Sequence, residues 1–170
     1  PTPEAAPMTP EACASLLKQL FPALFTGGAK PLKLRIQADI QERAPGQFTK
    51  QALSAFLRRY TGGTSYLIAV SKAQHRFDLD GEPAGELSQE HRQVALDELA
   101  RRKERQQAKR VEQEQGLRER AALLRDFERT TLTAANFSAL KGMTVEVLET
   151  TLAQARVEAT QAPARPEHHR

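Results

Sequence analysis

The sequence contains no tryptophan, only two tyrosines and a single cysteine, Cys13. Without a second cysteine the chain can form no internal disulfide and no cysteine-based metal site. A lone thiol is typical of proteins in a reducing compartment such as the cytoplasm. The scarcity of aromatic residues also argues against a large enzyme core. We expect a small core built from aliphatic side chains and from Phe21, Phe25, Phe48, Phe56 and Phe77.

Long apolar runs and catalytic motifs are also missing. No apolar run approaches the roughly 18 residues that span a bilayer, so we expect no membrane partner. The sequence has no phosphate-binding P-loop and no nucleophile–histidine–acid set at informative spacing. The acidic residues of 78–86 lack the ligand rhythm of an EF-hand. We therefore predict a protein that is not an enzyme, holds no metal and needs no cofactor. We also expect it to be cytoplasmic, in line with the lone thiol, and monomeric.

Positive charge is concentrated in residues 30–76, where nine lysine and arginine residues are opposed only by Asp39 and Glu42. Residues 77–129 carry eleven basic and thirteen acidic residues, so the excess of positive charge is local. The cations of 30–76 are interleaved with apolar residues at helical or strand spacing, which indicates a folded surface rather than a flexible tail. Such a surface attracts polyanions, and nucleic acid is the commonest of these in a cell.

Helical periodicity and capping residues predict helices along most of the chain. Thr9, Thr49 and Ser88 are candidate N-caps, and Pro10 is favourable at a first helical position. The first helix is expected to end before Gly27, the second to cover 31–43, and the third to extend from residue 49 to about 60. A long helix is predicted over 88–128, with a solvated middle, followed by shorter helices at 132–141 and from 144 onwards.

Two β-rich runs, 66–70 and 75–79, predict a hairpin because only a few residues separate them. On that interpretation Tyr66 and Arg76 approach each other across the two strands. The expected fold class is α+β: a mostly helical domain with a small β-hairpin and a C-terminal helical extension. We predict a disordered leader over 1–10, a folded domain over 11–115, the helical extension over 116–160 and a disordered tail over 161–170.

Several short motifs occur together in the basic stretch of 30–76 and in the residues just after it. They are Pro31-Leu32-Lys33-Leu34, Arg58-Arg59-Tyr60-Thr61, Tyr66-Leu67, Arg76-Phe77-Asp78-Leu79-Asp80-Gly81 and Gly85-Glu86-Leu87. In order and spacing they resemble the ProQ/FinO family of bacterial RNA chaperones, over roughly residues 12–110. The resemblance implies a mostly helical domain with a small β element and no enzymatic activity. The domain of 11–115 is then expected to bind RNA.

The resemblance also implies a specific role. Members bind structured small RNAs and mRNA 3′ ends, at the base of a terminator hairpin and its U-rich 3′ tail. They stabilise these RNAs and promote RNA–RNA pairing in post-transcriptional regulation. By position, Lys33 matches the conserved lysine of the first motif, and Tyr66 and Arg76 match the nucleotide pocket.

The third predicted helix carries a basic ridge, which we define as Lys50, Ser54 and Arg58, at spacing i, i+4, i+8 on one face. The resemblance implies RNA contact by Lys50 and Arg58, and we add the neighbouring cations Lys30 and Arg59 to the predicted RNA-binding set. The chain departs from the family pattern at Ser54 and Ser65, where cations are usual, and at 62–64, where some members have a tryptophan.

Other interpretations of the same residues remain open. The ridge cations could be ordinary solvated charges, Tyr66 a half-buried strand residue and Arg76 a partner for Asp78. The basic surface could bind DNA instead of RNA. Alternatively, the chain could be a helical protein-interaction module that uses the helix of 88–129.

Overall fold

The computed structural model describes residues 7–161, which form eight helices and one two-stranded antiparallel sheet. Most of the two segments predicted to be disordered falls in 1–6 and 162–170, outside the described residues. The elements are α1 (Pro10–Leu20), α2 (Pro22–Phe25), α3 (Ile36–Arg43), α4 (Lys50–Gly62), α5 (Thr64–Lys72), β1 (His75–Phe77), β2 (Pro83–Glu86), α6 (Gln89–Arg129), α7 (Ala134–Leu140) and α8 (Val145–Gln161).

The predicted N-caps are confirmed. The hydroxyls of Thr9 and Thr49 accept hydrogen bonds from backbone N–H groups three residues on, each at 3.1 Å, and the Ser88 hydroxyl does the same at 3.2 Å. These bonds satisfy N–H groups that have no partner within the helix. The first predicted helix is divided in two at Phe21, because Pro22 lacks an N–H and disfavours a helical conformation in the residue before it.

The second predicted helix begins later than expected, at Ile36 rather than at residue 31. Residues 31–33 are extended instead and lie beside β1. The Phe77 N–H donates to the Pro31 carbonyl at 2.8 Å, and the Lys33 N–H donates to the Phe77 carbonyl at 2.9 Å. Leu32 and Phe77 therefore form a parallel bridge between segments far apart in sequence.

The predicted hairpin between 66–70 and 75–79 is wrong, because residues 64–72 form α5. Tyr66 and Val70 lie one helical turn apart, and both are buried. The hairpin of this fold pairs β1 with β2, with His75 opposite Glu86. Its turn is held by the Asp78 carboxylate, which accepts the N–H groups of residues 80 and 82 at 2.9 and 3.0 Å. The predicted α+β class, mostly helical with one small hairpin and further helices at the C-terminal end, is confirmed.

The chain divides into two compact units, the first ending at Lys103 and the second beginning at Glu104. In the first unit Phe21, Phe25 and Phe48 are buried as predicted, whereas Phe56 and Phe77 lie half-buried at the edge of the core. Cys13 is fully buried in this core, and burial raises the pKa of its thiol. The aliphatic side chains that are fully buried with it are Leu17, Leu24, Ile40 and Leu53.

The second unit has a separate core formed by the end of α6 with α7 and α8. Its buried side chains are Leu124, Phe137, Leu148, Leu152 and Ala155. The middle of α6 is largely exposed, as predicted from its lack of apolar residues. None of the helices described in residues 7–161 combines the length and the apolar character needed to cross a membrane.

Candidate functional site

The backbone of Leu32 brings two of the predicted site residues together. Its N–H donates to the Tyr66 hydroxyl at 3.2 Å, and its carbonyl accepts from Arg76 Nη1 at 3.1 Å. Tyr66 lies in the first turn of α5 and Arg76 lies on β1. The two residues thus both bind the backbone of Leu32, in the 31–33 segment, and do not face each other across a hairpin.

Tyr66 is a buried residue of a helix, not a half-buried strand residue. Its side chain is 8% exposed, and its ring packs edge-on against the Tyr60 ring, with centroids 5.6 Å apart. Tyr60 is fixed in turn by its hydroxyl, which accepts the Lys30 N–H at 3.2 Å, and burial raises the pKa of that phenol. The Tyr66 ring is therefore not exposed for stacking against a base. Its hydroxyl holds the backbone of Leu32 in place.

Arg76 is half-buried and is bound on two sides. Besides the Leu32 carbonyl, its Nη2 contacts His91 Nδ1 at 3.2 Å, in the first turn of α6. Because an arginine in a protein only donates, His91 Nδ1 accepts in this contact. The predicted alternative partner, Asp78, is engaged by the turn of the hairpin instead. A guanidinium carries further N–H donors in a fixed fork, so Arg76 can also bind an anion.

Lys33 lies beside this peptide but its charge is already paired. Its ammonium is 2.6 Å from Asp39 Oδ2, and this hydrogen bond raises the pKa of Lys33. The side chain is 40% exposed, so a phosphate can approach it from solvent. An RNA contact at Lys33 must share the ammonium with Asp39 or displace that carboxylate.

The basic ridge of α4 offers unpaired charge. Lys50 and Arg58 are exposed, and neither side chain has an ion-pair partner among residues 7–161. Eight residues of α-helix separate them by about 12 Å along the axis. Ser54, between them, exchanges hydrogen bonds with the Gln37 side chain at 3.0 and 3.3 Å. Gln37 Nε2 also reaches the Lys50 carbonyl at 3.4 Å, so the first turn of α3 lies against the ridge.

The two remaining predicted residues lie elsewhere. Arg59 belongs to another face of α4 and lines a groove of about 1100 Å³ between α4 and the start of α1. Lys30 is half-buried, and its ammonium donates to the Ala23 carbonyl at 2.5 Å, towards α2. The structure therefore groups Lys33, Tyr66 and Arg76 around one segment, and α3 contacts the basic ridge at Lys50 and Ser54.

Sequence reasoning missed three contributors. The Leu32 peptide acts through backbone atoms, which no residue pattern reveals. His91 is a lone histidine in the sequence, and no motif singles it out. Arg102 contacts Glu98, one helical turn away, at 2.9 Å. It also donates to the Gly62 carbonyl at 2.8 Å and to the Thr64 hydroxyl at 3.2 Å, which fixes the turn before α5.

Comparison with known proteins gives the family. Residues 8–112, more than half of the chain, match the model of the ProQ/FINO family. The chain belongs to the ProQ/FinO family. Among solved structures it is similar to the crystal structure of NMB1681 from Neisseria meningitidis MC58, a FinO-like RNA chaperone, at 26% identity and a TM-score of 0.43. That similarity covers 51% of this chain and 88% of that one.

The residues matched to the ProQ/FinO family include all seven of the predicted RNA-binding set. Helices α7 and α8 lie beyond them. Within residues 7–161, no three His, Cys, Asp or Glu side chains are grouped so that they could hold a metal ion.

Proposed function

We propose that this chain is an RNA chaperone that binds structured small RNAs and mRNA 3′ ends. It binds the base of a terminator hairpin together with the U-rich 3′ tail, stabilises the RNA and promotes its pairing with other RNAs. Membership of the ProQ/FinO family supports RNA binding in general. The excess of positive charge in 30–76, inside the matched residues, supports a polyanionic ligand.

The observation that carries the proposal is that Tyr66 and Arg76 both bind the backbone of Leu32, next to Lys33. Arg76 is held at a defined angle, so its free donors can bind the last phosphodiester of an RNA strand. The polar groups around it suit the 2′ and 3′ hydroxyls by which a protein distinguishes RNA from DNA. Tyr66 holds the 31–33 segment in place through the hydrogen bond that its hydroxyl accepts from the Leu32 N–H.

The basic ridge supplies the second part of the proposed RNA-binding surface. Lys50 and Arg58 project unpaired charge into solvent at a spacing of about 12 Å. Cations of this kind bind backbone phosphates without reading sequence, and they release condensed counterions when they do so. The hairpin stem is the part of the RNA that presents phosphates at fixed spacing, and we assign it to the ridge.

DNA binding is the first rival function, because phosphate contacts alone do not exclude it. We expect an RNA terminator hairpin to outcompete the DNA hairpin of equal sequence by at least about tenfold, or about 1.4 kcal/mol. The reason is the loss of 2′-hydroxyl contacts in DNA. Competition at one fixed salt concentration measures this ratio. Equal competition by the two hairpins would favour the DNA-binding interpretation.

A protein-interaction module built on α6 is the second rival. We expect a chain that ends at residue 115 to keep the hairpin affinity within about threefold, because the removed residues 116–170 carry eight basic and seven acidic residues and add no basic field. The core of the first unit uses no residue beyond Ala95, so the shortened chain retains it whole. Titration of the same RNA with both chains measures the effect. A larger loss would show that residues 116–170 take part in RNA binding.

A further inference from the structure

Arg35 has an unusual backbone conformation. Its φ and ψ are 59° and 30°, in the left-handed region, and it is the one non-glycine residue with positive φ among those described. A side chain with a Cβ is disfavoured there, and the residues that tolerate the region best are Gly, Asn and Asp. An arginine in this conformation carries a local cost to folding.

The position in the helix adds to that cost. Arg35 is the N-cap of α3, and no side chain caps the helix at this end. The N-terminus of a helix carries partial positive charge, so a cation there is unfavourable. The nearest acid in the first turn, Asp39, is paired with Lys33 at 2.6 Å. Arg35 is exposed, and its guanidinium has no hydrogen-bond or ion-pair partner among residues 7–161.

The surroundings of Arg35 connect it to the ridge. Gln37, only two residues on and so within about 7 Å in Cα position, bonds to the Ser54 hydroxyl and the Lys50 carbonyl. Ser54 is the neutral middle of a ridge whose two ends are charged. On the other side of Arg35, Leu34 is 66% exposed, so this turn projects into solvent next to the ridge.

We propose that Arg35 is a further RNA-contact residue: its guanidinium binds a backbone phosphate of the hairpin stem and supplies the positive charge that Ser54 does not. The planar fork of donors suits a phosphate oxygen pair. Because this proposal rests on the proposed function, its test must separate the two. Replacement of Arg35 by a residue that tolerates positive φ should stabilise the fold, because the strained conformation is relieved. The same replacement should weaken RNA binding, because the cation is lost.

The test is Arg35→Gly in the full chain. Glycine adopts positive φ freely, so the melting temperature should rise by about 2–8 °C. Affinity for the terminator hairpin should fall by about 3- to 10-fold, and the log–log salt slope should shrink by roughly 0.7–0.9, the value for one phosphate contact. Thermal melting and RNA titration over a salt series measure both quantities.

Two variants separate charge from strain. Arg35→Asn removes the charge and tolerates the left-handed region, so it should behave as Arg35→Gly does. Arg35→Lys keeps both charge and strain, so the melting temperature and the salt slope should stay near those of the wild type. Lys109→Ala, on the exposed middle of α6, changes the net charge equally and should leave the hairpin affinity unchanged.

The outcomes distinguish this proposal from the proposed function. If the wild type does not prefer the RNA hairpin, the function itself fails. If Lys50→Ala and Arg58→Ala weaken binding while Arg35→Gly leaves affinity and salt slope unchanged, the function stands and the role of Arg35 is overturned. Equal weakening of an unstructured RNA by Arg35→Gly would overturn the assignment to the stem. A lower melting temperature would overturn the strain argument.

Discussion

Arg76→Ala is expected to weaken binding of a terminator hairpin with a free 3′ tail by about 1–3 kcal/mol, or roughly 5- to 150-fold. The substitution removes the guanidinium that joins the Leu32 carbonyl to His91 and that we assign to the terminal nucleotide. In the wild type, a 3′ phosphate or an added 3′ hairpin should weaken binding by a similar amount, because a blocked end would leave polar groups of the proposed site without their partners. Arg76→Ala should erase this discrimination.

The measurement is a set of titrations with RNAs that differ only at the 3′ end. Lys109→Ala is the control and should retain the discrimination. Tyr66→Ala should also erase it, but by a different route, since Tyr66 holds the Leu32 peptide and is part of the core. Its melting temperature should therefore fall as well. If a blocked 3′ end binds the wild type as well as a free one, the pocket assignment is wrong, even if the protein binds RNA.

Removal of three cations should change the salt dependence of binding. In a variant with Ala at Lys33, Lys50 and Arg58, the log–log slope should fall by roughly 0.7–0.9 per lost phosphate contact, or about 2–2.7 in all. At about 1 kcal/mol per contact, the affinity should fall on the order of 100-fold. Fluorescence or filter-binding titrations between low and physiological salt give both numbers.

The three single Ala variants should contribute to this effect in different ways. Lys50 and Arg58 carry unpaired charge, so each Ala substitution should affect mainly the slope. Lys33→Ala has a second consequence, because it leaves the Asp39 carboxylate unpaired where a phosphate would approach. An unchanged slope in the triple variant would mean that these cations are ordinary solvated charges.

Local signals in the sequence predicted most of the helices. The caps at Thr9, Thr49 and Ser88 depend on a side chain and on backbone three residues away, so a short window contains the whole interaction. The run of 66–70 was assigned to a strand because a short apolar run fits a strand and a buried helical turn equally well. The true partner strand, Pro83–Glu86, contains proline and glycine and gives no β signal of its own.

The sequence predicted only those parts of the candidate site whose residues lie close together in the chain. The Lys50–Arg58 ridge follows from the period of one helix, whereas Arg59, next in sequence, lies on another face of that helix. The meeting of Tyr66 and Arg76 depends on Leu32, which is 34 and 44 residues away from them in sequence. Backbone hydrogen bonds over such separations leave no pattern in the residue types.

Leu32 belongs to the core and to the site at the same time. The Leu32 side chain is 4% exposed within the core of the first unit, and both polar groups of its backbone are engaged by site residues. The segment cannot loosen on its own, since release of Leu32 would expose core surface. An arriving RNA would thus spend little free energy on ordering this part of the protein. Preferences among RNA ends would then appear mainly as differences in dissociation rate.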